Sequence, residues 1–542
     1  MPVTPTYPGV YIEEVSSGVR TITGVPTAIA AFIGRAYRGP VDEPVRVQNW
    51  GDFERTFGGL RIGYPLGNAV YDFFRNGGGE ALVVRMFVAP APDDDDGDGD
   101  GGDGADAEIP IPAAITHGGL TLRAASPGSW GRNLRLRVDH DNRPTDLPWM
   151  ATFGVAQADL FNLTLRDTVS GAEERYVNLT VRESPRRVDR VLGQQSGLMQ
   201  TTGELPEAVP AAHAPATAAV WTDDARSAGV PPATEVPDSA PLGATVGSPA
   251  GQTGLYALDK ADIFNILVIP PDDLAQDVPN DVYAAALDYC VLRRAMLVLD
   301  PPLAWDSVAD AETGVRANPY GLNGTNTRNA AIYFPRVRTT NPLLGVVETT
   351  PPAGLVAGAY ARTDAQRGVW KAPAGIDVAL NGTQGLELVL TDEQNGVLNP
   401  LGVNCLRSFP IIGRVIWGAR TLRGADLLAD EYKYVPIRRL ALFIEESLYR
   451  GTQWVVFEPN DEPLWSQIRL NVGAFMHDLF RQGAFQGQTP RDAYLVKCDR
   501  ETTTQFDRDR GIVNIVVGFA PLKPAEFVIL RIQQLTGQQA AG

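Results

Sequence analysis

The 542-residue sequence lacks most of the patterns that mark catalytic and metal-binding proteins. It has three cysteines, Cys290, Cys405 and Cys498, which lie far apart and outside any CxxC pair, so a disulfide framework or a zinc site is not expected. No glycine is followed by lysine, which excludes a P-loop for a nucleotide phosphate. A GxSxG nucleophile elbow and an HExxH zinc motif are also missing. We therefore expect no enzymatic activity, no cofactor and no metal.

Long apolar runs are absent as well. The first basic residue is Arg20, so no charged segment precedes an apolar leader, and no apolar stretch approaches the roughly 18 residues that span a bilayer. Together with the odd number of scattered cysteines, this predicts synthesis in the reducing cytoplasm without insertion into a membrane.

Positive charge is scarce, with 47 basic against 64 acidic residues and a formal net charge of −17. Eight of the acidic residues lie in one Asp/Gly tract, 93–106, which is predicted to be a solvated loop. Asp96, Asp98 and Asp100 begin like a calcium loop, but Ala107 occupies the position of the bidentate carboxylate. The rest of the chain is mildly acidic, which argues against a nucleic-acid partner.

The chain changes character several times along its length, which predicts a multidomain α/β protein. Residues 1–24 contain three prolines and few helix signals, so we expect an extended N-terminal arm. Residues 25–90 follow as the first part of an α/β core, with a helix that buries Val70, Phe73 and Phe74.

Residues 91–254 interrupt this core. Four stretches here alternate polar and apolar residues with period two, which predicts an inserted, outward-facing antiparallel β domain. The domain includes the acidic loop and a Pro/Ala-rich stretch, 204–250, which we interpret as a linker or flexible loop. The histidines of the chain are interpreted as packing or surface residues rather than ligands: His117, His140, His213 and His477.

The remainder returns to α/β patterns. Residues 255–404 hold continuous apolar strands around a helix, which is typical of a βαβ unit in a covered sheet. Residues 405–519 contain two amphipathic helices, 436–450 and 463–482, and are expected to form a C-terminal inner α/β domain. The first helix has an apolar stripe of Ile437, Leu440, Ile444 and Leu448, with its charged residues largely elsewhere: Arg438, Arg439, Glu445, Glu446 and Arg450. Residues 520–542 form a second arm. The predicted fold class is therefore α/β, with discontinuous core domains, an inserted antiparallel β domain and extended strand arms at both ends.

Both arms carry apolar, strand-forming residues. These are Val10, Tyr11, Ile12 and Val15 in the first arm and Phe527, Ile529, Leu530 and Ile532 in the last. An unpaired apolar strand normally promotes aggregation, but it can hold two subunits together when another chain supplies the partner strand. The arms therefore predict a self-assembling protein. Docking of both arms on their own subunit is an equally consistent alternative.

Several long phrases carry a family resemblance. They are "TYPGVYIEEVSSGVRTITGVPTAIAAFIGRAYRGP" (6–40), "LGNAVYDFFRNGGGEALVVRM" (66–86), "SPGSWGRN" (126–133), "VIWGARTL" (415–422), "YVPIRRLALFIEESLYRGTQWVVFEPNDEPLW" (434–465) and "RQGAFQGQTP" (481–490). In this order they resemble the contractile tail sheath proteins of phages and of phage-tail-like injection particles. The resemblance is strongest over 1–88 and 405–535 and weakest over 89–254.

The resemblance implies a structural subunit that polymerises helically around an inner tube. Such a sheath contracts from a metastable extended state and drives the tube through a target envelope. The resemblance also implies that arms from two subunits complete a sheet in a third. The receiving strands would lie at 493–498 and 511–519, with the residues Tyr494, Val496, Ile512, Ile515 and Val517.

The resemblance further implies the partners of the subunit. These are other copies in stacked rings, the inner tube protein, and the baseplate and tail terminator proteins. A C-terminal helix would face the tube, with candidate contacts Arg438, Arg439, Arg469 and Arg481. The subunit would assemble in the bacterial cytoplasm as part of a phage tail or of a phage-tail-like particle that can be released. Another self-assembling tail or surface-layer component and, further off, a multidomain enzyme are the alternatives.

Overall fold

The computed structural model describes residues 20–87, 113–230, 246–318 and 320–531. Five of the predicted arm residues lie outside the described residues: Val10, Tyr11, Ile12, Val15 and Ile532. The acidic loop lies outside them too.

The strands of the described residues, numbered in chain order, are β1 Ala30–Gly34, β2 Val45–Val47, β3 Ala81–Arg85, β4 Ala114–His117, β5 Leu120–Ala124, β6 Leu134–Asp139, β7 Leu160–Asp167, β8 Glu173–Thr180, β9 Met199–Thr201, β10 Ala228–Gly229, β11 Ile266–Val268, β12 Met296–Leu299, β13 Ala330–Phe334, β14 Val337–Thr340, β15 Val347–Thr350, β16 Thr383–Leu386, β17 Val403–Phe409, β18 Gly413–Ile416, β19 Tyr494–Lys497 and β20 Val516–Phe519.

The helices of the same residues are α1 Trp50–Phe57, α2 Pro65–Arg75, α3 Met150–Phe153, α4 Val188–Gln195, α5 Asn280–Leu292, α6 Val308–Ala317, α7 Ala353–Arg367, α8 Asp392–Leu398, α9 Val435–Gly451, α10 Glu462–Arg481, α11 Pro490–Ala493 and α12 Gln505–Asp509.

The centre of the fold is an eight-stranded sheet with the order β18-β17-β13-β12-β11-β1-β3-β2. Its inner strands are parallel, and the edge strands β18 and β2 run antiparallel to their neighbours. Numbered along the chain, the parallel strands follow the order 2-1-3-4-5-6, an arrangement of doubly wound α/β folds. Strands from 25–90 and from 255–404 therefore build one sheet. The predicted boundary between 404 and 405 falls inside β17, so this sheet continues past it.

Continuous apolar runs form these strands because helices cover both faces of the sheet. In β1, Ile33 contacts the layer of α5, α6 and α8, whereas Phe32 contacts the layer of α1, α2 and α7. The predicted helix around Val70 is confirmed as α2. α7 approaches α2 closely because it carries glycine at the contact, where a Cβ on Gly358 would lie 2.4 Å from the carbonyl oxygen of Phe73.

The insertion between β3 and β11 contains antiparallel sheets, as its period-two pattern predicts. Two sheets, β10-β6-β7-β8 and β4-β5-β9, share one apolar core. The two ends of the insertion meet at Asp42. Its N–H donates to the carbonyl oxygen of Arg85 at 3.1 Å, and its carboxylate accepts from the N–H of Gly254 at 2.7 Å.

Part of the Pro/Ala-rich stretch packs on the inserted domain and is not a free linker. A segment we call the histidine strap, residues 209–214, lies along β6, where the N–H of His213 donates to the carbonyl oxygen of Val138 at 2.9 Å. The ring of His213 stacks on that of His117 with the centroids 3.7 Å apart, so both are packing residues, as predicted. A segment that docks through its backbone groups needs no periodic pattern of side chains. Its composition therefore gave no sign of the docking and suggested a linker.

α9 and α10 pack against each other and support the C-terminal region. The predicted apolar stripe of α9 is confirmed for Ile437, Leu440 and Ile444, which are buried. Arg439 and Glu446, which the pattern places outside this stripe, are buried as well. The reason is that α9 is covered on two sides. Its apolar stripe packs on α10, and on another side Arg439 pairs with Asp364 of α7 and Glu446 pairs with Arg294 after α5.

Candidate assembly site

A small two-stranded sheet lies beside α10 and has two open edges. β19 and β20 pair antiparallel, with Val496 opposite Val517. These two residues pack on the α9–α10 core, whereas Leu495 and Val516 are 48% and 46% exposed. Within the described part of the chain, neither strand has a second partner strand. Two-stranded sheets are marginal on their own, so this one is suited to accept further strands.

This sheet contains three of the five predicted receiving residues: Tyr494, Val496 and Val517. Ile515 lies directly before β20. Ile512 lies outside both strands, because its N–H donates to the carbonyl oxygen of Asp507 at 2.8 Å and its own carbonyl oxygen accepts from Asn460 at 2.9 Å. The backbone of Ile512 is thus already used within the subunit.

The chain after β20 is fixed to the core by one ion pair, which we call the Glu526 clamp. Arg420, whose side chain is fully buried, donates from Nε and Nη2 to the two carboxylate oxygens of Glu526 at 2.6 Å each. The hydroxyl of Tyr434 and the amide of Asn399 donate to the same carboxylate. Burial alone raises the pKa of Glu526, but these donors and the charge of Arg420 outweigh it and hold that pKa below its ordinary value.

Beyond the Glu526 clamp the chain is apolar and exposed. Phe527, Val528, Ile529 and Leu530 have exposed fractions of 74%, 79%, 79% and 83%. They lie outside every strand of the described structure. Four consecutive large apolar side chains in water form the kind of surface that marks an interaction site. The predicted C-terminal arm residues Phe527, Ile529 and Leu530 are therefore accessible to a partner.

The described chain begins against α9 and α10. The N–H of Arg20 donates to the side chain of Asn471 at 3.1 Å, and its guanidinium lies 4.7 Å from the ring centroid of Trp454. Ile22 is buried beside the helices at a position where Gly451 makes room, since a Cβ there would lie 2.5 Å from Ile22. The end of the predicted N-terminal arm thus docks on the helix pair that also supports β19 and β20.

The four arginines predicted to face a tube do not share one surface. Arg439 has a side chain that is 3% exposed and pairs with Asp364 at 2.7 Å, which places it inside the subunit. The side chain of Arg438 is 13% exposed and bonds to the core. Arg469 and Arg481, both on α10, are the more exposed pair.

Sequence reasoning missed Arg420 and Glu526. The available signals were an arginine within the phrase "VIWGARTL" and a lone acid among the apolar residues of the last arm. Pairing them requires knowing that the chain returns to the core sheet 106 positions after Arg420, which no local pattern reveals.

In the described segments, no group of three or more His, Cys, Asp or Glu residues could hold a metal ion. No helix there has both the length and the apolar character to cross a membrane. The three cysteines are free and buried.

Two family models match consecutive parts of the chain. The model of the phage tail sheath protein central domain matches residues 244–422. The model of the phage tail sheath C-terminal domain matches residues 429–534. Together these ranges span more than half of the sequence, and they include the core sheet after the insertion, the Glu526 clamp and the two-stranded sheet.

Two curated relatives are similar over much of their length. A putative prophage major tail sheath protein of Pseudomonas aeruginosa (strain UCBPP-PA14) is 26% identical over 311 residues, which is 56% of this chain and 74% of that protein. The tail sheath protein of Burkholderia phage BcepMu is 24% identical over 493 residues, which is 88% of this chain and 87% of that protein.

Solved structures share the fold across nearly the whole chain. The sheath of the extracellular contractile injection system PVC in its contracted state has a TM-score of 0.56 at 21% identity, covering 99% of both chains. The contracted helical sheath of the anti-feeding prophage has a TM-score of 0.56 at 22% identity, covering 98% of this chain and 100% of that one. The chain belongs to the phage tail sheath protein family, and it is a contractile tail sheath subunit of a phage or phage-like injection system.

Proposed function

We propose that the two ends of this chain link neighbouring subunits into one continuous sheath by completing the β19–β20 sheet of another subunit. The observation that carries the proposal is the contrast at the C-terminus. The Glu526 clamp holds the chain on its own core, while the four apolar residues that follow are exposed. A segment anchored at one side and apolar at the other is suited to reach a partner.

An added strand would stabilise both the arm and the sheet that receives it. It pairs with the open edge of β19 or β20 and satisfies its own backbone donors and acceptors. It also brings apolar side chains beside Leu495 and Val516. If each arm buries about 400 Å² of apolar surface, the gross gain is roughly 10 kcal/mol before the cost of ordering the arm. Links of this size outlast weaker contacts between the bodies of the subunits.

In the proposed sheath the arms act as hinges. Rigid subunits rotate and slide about them, from a stretched, metastable lattice to a shorter and wider one. The free-energy difference is stored during assembly, and its release drives the inner tube through the target envelope. This is a structural role, in keeping with the structural family to which the chain belongs.

The solved relatives support the proposed partners. One is a helical sheath, and another belongs to the baseplate of the anti-feeding prophage, at 20% identity and a TM-score of 0.52. We therefore propose further copies of this chain and baseplate proteins as partners, together with the inner tube and tail terminator proteins. Arg469 and Arg481 are the candidates for contact with the tube, because they are the more exposed of the four arginines. Assembly is proposed in the bacterial cytoplasm, with release as part of a particle.

Removal of residues 527–542 tests the proposed links. The Glu526 clamp stays intact, so we expect folded monomers whose unfolding temperature changes by no more than about 2 °C. The same monomers should form no helical tubes in electron micrographs, whereas the full chain should. Tubes of normal length from the shortened chain would contradict the role given to the C-terminal arm.

A pair of double variants tests whether the arm binds as a strand. Successive side chains of a strand point to opposite faces, so Phe527 and Ile529 lie on one face and Val528 and Leu530 on the other. Replacing each pair with serine should lower the tube yield by amounts that differ roughly tenfold, because only one face is buried against the receiving subunit. Equal losses from the two variants would exclude a strand.

A further inference from the structure

The loop between α9 and α10 presents a phenylalanine to solvent from strained backbone. Phe457 has a φ of +70° and is fully exposed. Glycine and asparagine adopt this left-handed conformation at lower cost. Among the nine non-glycine residues with positive φ in the described part of the chain, Phe457 and Ile411 are the two with large apolar side chains. An exposed, strained aromatic ring adds nothing to its own core, so its use lies outside the subunit.

The surroundings of Phe457 are acidic. Glu458, Asp461 and Glu462 follow it within five positions, and all three are exposed. We call residues 455–461 the Phe457 loop. A surface that binds this loop therefore needs an apolar recess for the ring and basic residues around the recess for the acidic side chains.

A cavity of this kind lies elsewhere on the same chain. It has a volume of about 650 Å³ and is lined by Trp370 and Trp417, so we call it the tryptophan cavity. Cavities of this size hold ligands larger than one aromatic ring, so a phenyl group and part of its loop fit. The basic residues of the lining are Arg367, Lys371 and Lys523. Glu526 also lines the cavity, but Arg420 neutralises its charge.

The Phe457 loop and the tryptophan cavity lie at opposite ends of one helix pair. The loop follows the end of α9 and precedes the start of α10, whereas Tyr434, directly before α9, and Gln482, directly after α10, line the cavity. The 20 residues of α10 give it a length of about 30 Å. A head-to-tail contact requires two complementary surfaces at opposite ends of one subunit. Contacts of this kind repeat from subunit to subunit and build helical arrays.

We propose that Phe457 of one subunit inserts into the tryptophan cavity of a second copy of this chain. Its ring packs against the two tryptophans, and the acidic flank of the Phe457 loop meets the basic rim of the cavity. The contact rests on the sheath function proposed above but does not use the arms. It joins the bodies of neighbouring subunits, so the arm links and this contact can fail independently.

The variant Phe457→Gly tests the contact, because it removes the ring and relieves the backbone together. We expect an unfolding temperature equal to or above that of the natural chain, and a rise of roughly tenfold or more in the subunit concentration needed for tubes. A ring with a merely structural role would instead lower the unfolding temperature. Tube formation at the natural concentration would overturn the proposal.

The matched control is Ile411→Gly. Ile411 has a φ of +72° and is also fully exposed, but Arg407 and Arg414 flank it in place of acids. Its replacement gives the same backbone relief, and the tube-forming concentration should stay within about twofold of the natural value. A loss equal to that of Phe457→Gly would show that any exposed apolar tip has this effect, and it would overturn the specific contact.

Charge reversal provides an independent test. Lys371→Glu with Lys523→Glu should raise the tube-forming concentration by roughly tenfold, and Glu458→Lys with Asp461→Lys in the same chain should restore most of it. The absence of any rescue would count against the pairing of these surfaces.

Cross-linking identifies the occupant of the cavity. In a chain with Val456→Cys, which keeps the Phe457 ring, and Gln482→Cys, a short bismaleimide should join subunits into ladders only after tubes form. Within one subunit about 30 Å separates the two ends of α10 and therefore these two positions. The natural cysteines are buried and contribute little background. Cross-links to a purified inner tube protein instead of a second copy would overturn the assignment. If Phe457→Gly forms intact tubes and the chain lacking 527–542 forms none, the Phe457 contact is rejected and the proposed arm links stand. If Phe457→Gly forms no tubes and the shortened chain does, the arm links are rejected and the Phe457 contact stands.

Discussion

The eight-stranded sheet and the two-stranded sheet differ in how far a single subunit completes them. Every residue of β1 and β3 is buried, and helices cover both faces of that sheet. The residues of β19 and β20 are half-buried or exposed, and both outer edges are open in the described chain. The first sheet is complete within one chain, and the second is the one that we propose other chains complete. The proposed mechanism uses both, because it requires a rigid body joined to its neighbours by links that bend.

The largest effect is expected inside the finished sheet. The ring of Phe32 is fully buried and its centroid lies 5.3 Å from that of Phe73. Phe32→Ala should lower the free energy of unfolding by about 3–5 kcal/mol, because it removes buried contacts and leaves a cavity. Urea unfolding of the monomer measures this. A loss below about 1 kcal/mol would contradict the contrast between the two sheets, because a substitution in the central sheet would then cost as little stability as one in the small sheet.

A smaller effect is expected at the boundary between the two regions. Glu526→Gln weakens the clamp on Arg420 and should lower the free energy of unfolding by about 1–3 kcal/mol. It should also speed proteolytic cleavage after residue 520. The control is Glu80→Gln, whose partner Arg46 has a side chain that is 61% exposed, and a change below about 0.5 kcal/mol is expected there. Equal effects from both variants would mean that the clamp is no stronger than a surface ion pair.

Acid should release the two docked segments in different pH ranges. Burial, helped by the charges of His117 and Arg137, lowers the pKa of His213 from 6.5 to about 4. As the pH falls below 6.5, the released strap takes up a proton that the docked strap does not, so docking weakens down to about pH 4. The pKa of Glu526 is instead held below its ordinary 4.5, so its clamp is stable above that pH and weakens as the pH falls below it.

Hydrogen exchange at pH 7, 5 and 3 separates these two events. Between pH 7 and 5, protection should fall in residues 209–214 and persist in residues 520–526. The variant His213→Asn keeps an acceptor for the N–H of Val138 but does not titrate, so it should abolish the first change and leave the second. Simultaneous release of both segments would contradict the assigned groups.

The smallest effect on the monomer is expected at the open sheet. Leu495→Thr changes a side chain that is 48% exposed, so the free energy of unfolding should shift by less than about 0.5 kcal/mol. The same change should still lower the yield of tubes, because it weakens the surface on which an arm is proposed to lie. A variant with natural tube yield would argue that the arms bind elsewhere.

The sequence predicts those elements that a local pattern determines. Period-two alternation located β5 to β8 in the insertion, and a stripe of apolar residues located α9 and α10 within two residues of their ends. The family phrases predicted the overall function, because several long matches in one order are more specific than any motif. These signals are carried by neighbouring residues, so they can be recognised without coordinates.

Long-range pairings could not be recognised in this way. Arg439 looks like a surface residue by spacing, but it is buried with Asp364 because α9 is covered on two sides. The Glu526 clamp and the tryptophan cavity depend on where distant segments meet. The strain at Phe457 depends on one backbone angle, which no composition or spacing indicates.

The contact at Asp42 has a practical consequence. The chain leaves the central sheet near Arg85 and returns near Gly254, and a single residue ties both points together. Because the ends of the excursion are already held side by side, exchanging what lies between them adds little loop-closure entropy. If the insertion faces outward, as predicted, a different folded unit with neighbouring termini can be exchanged for it without moving the strands on either side.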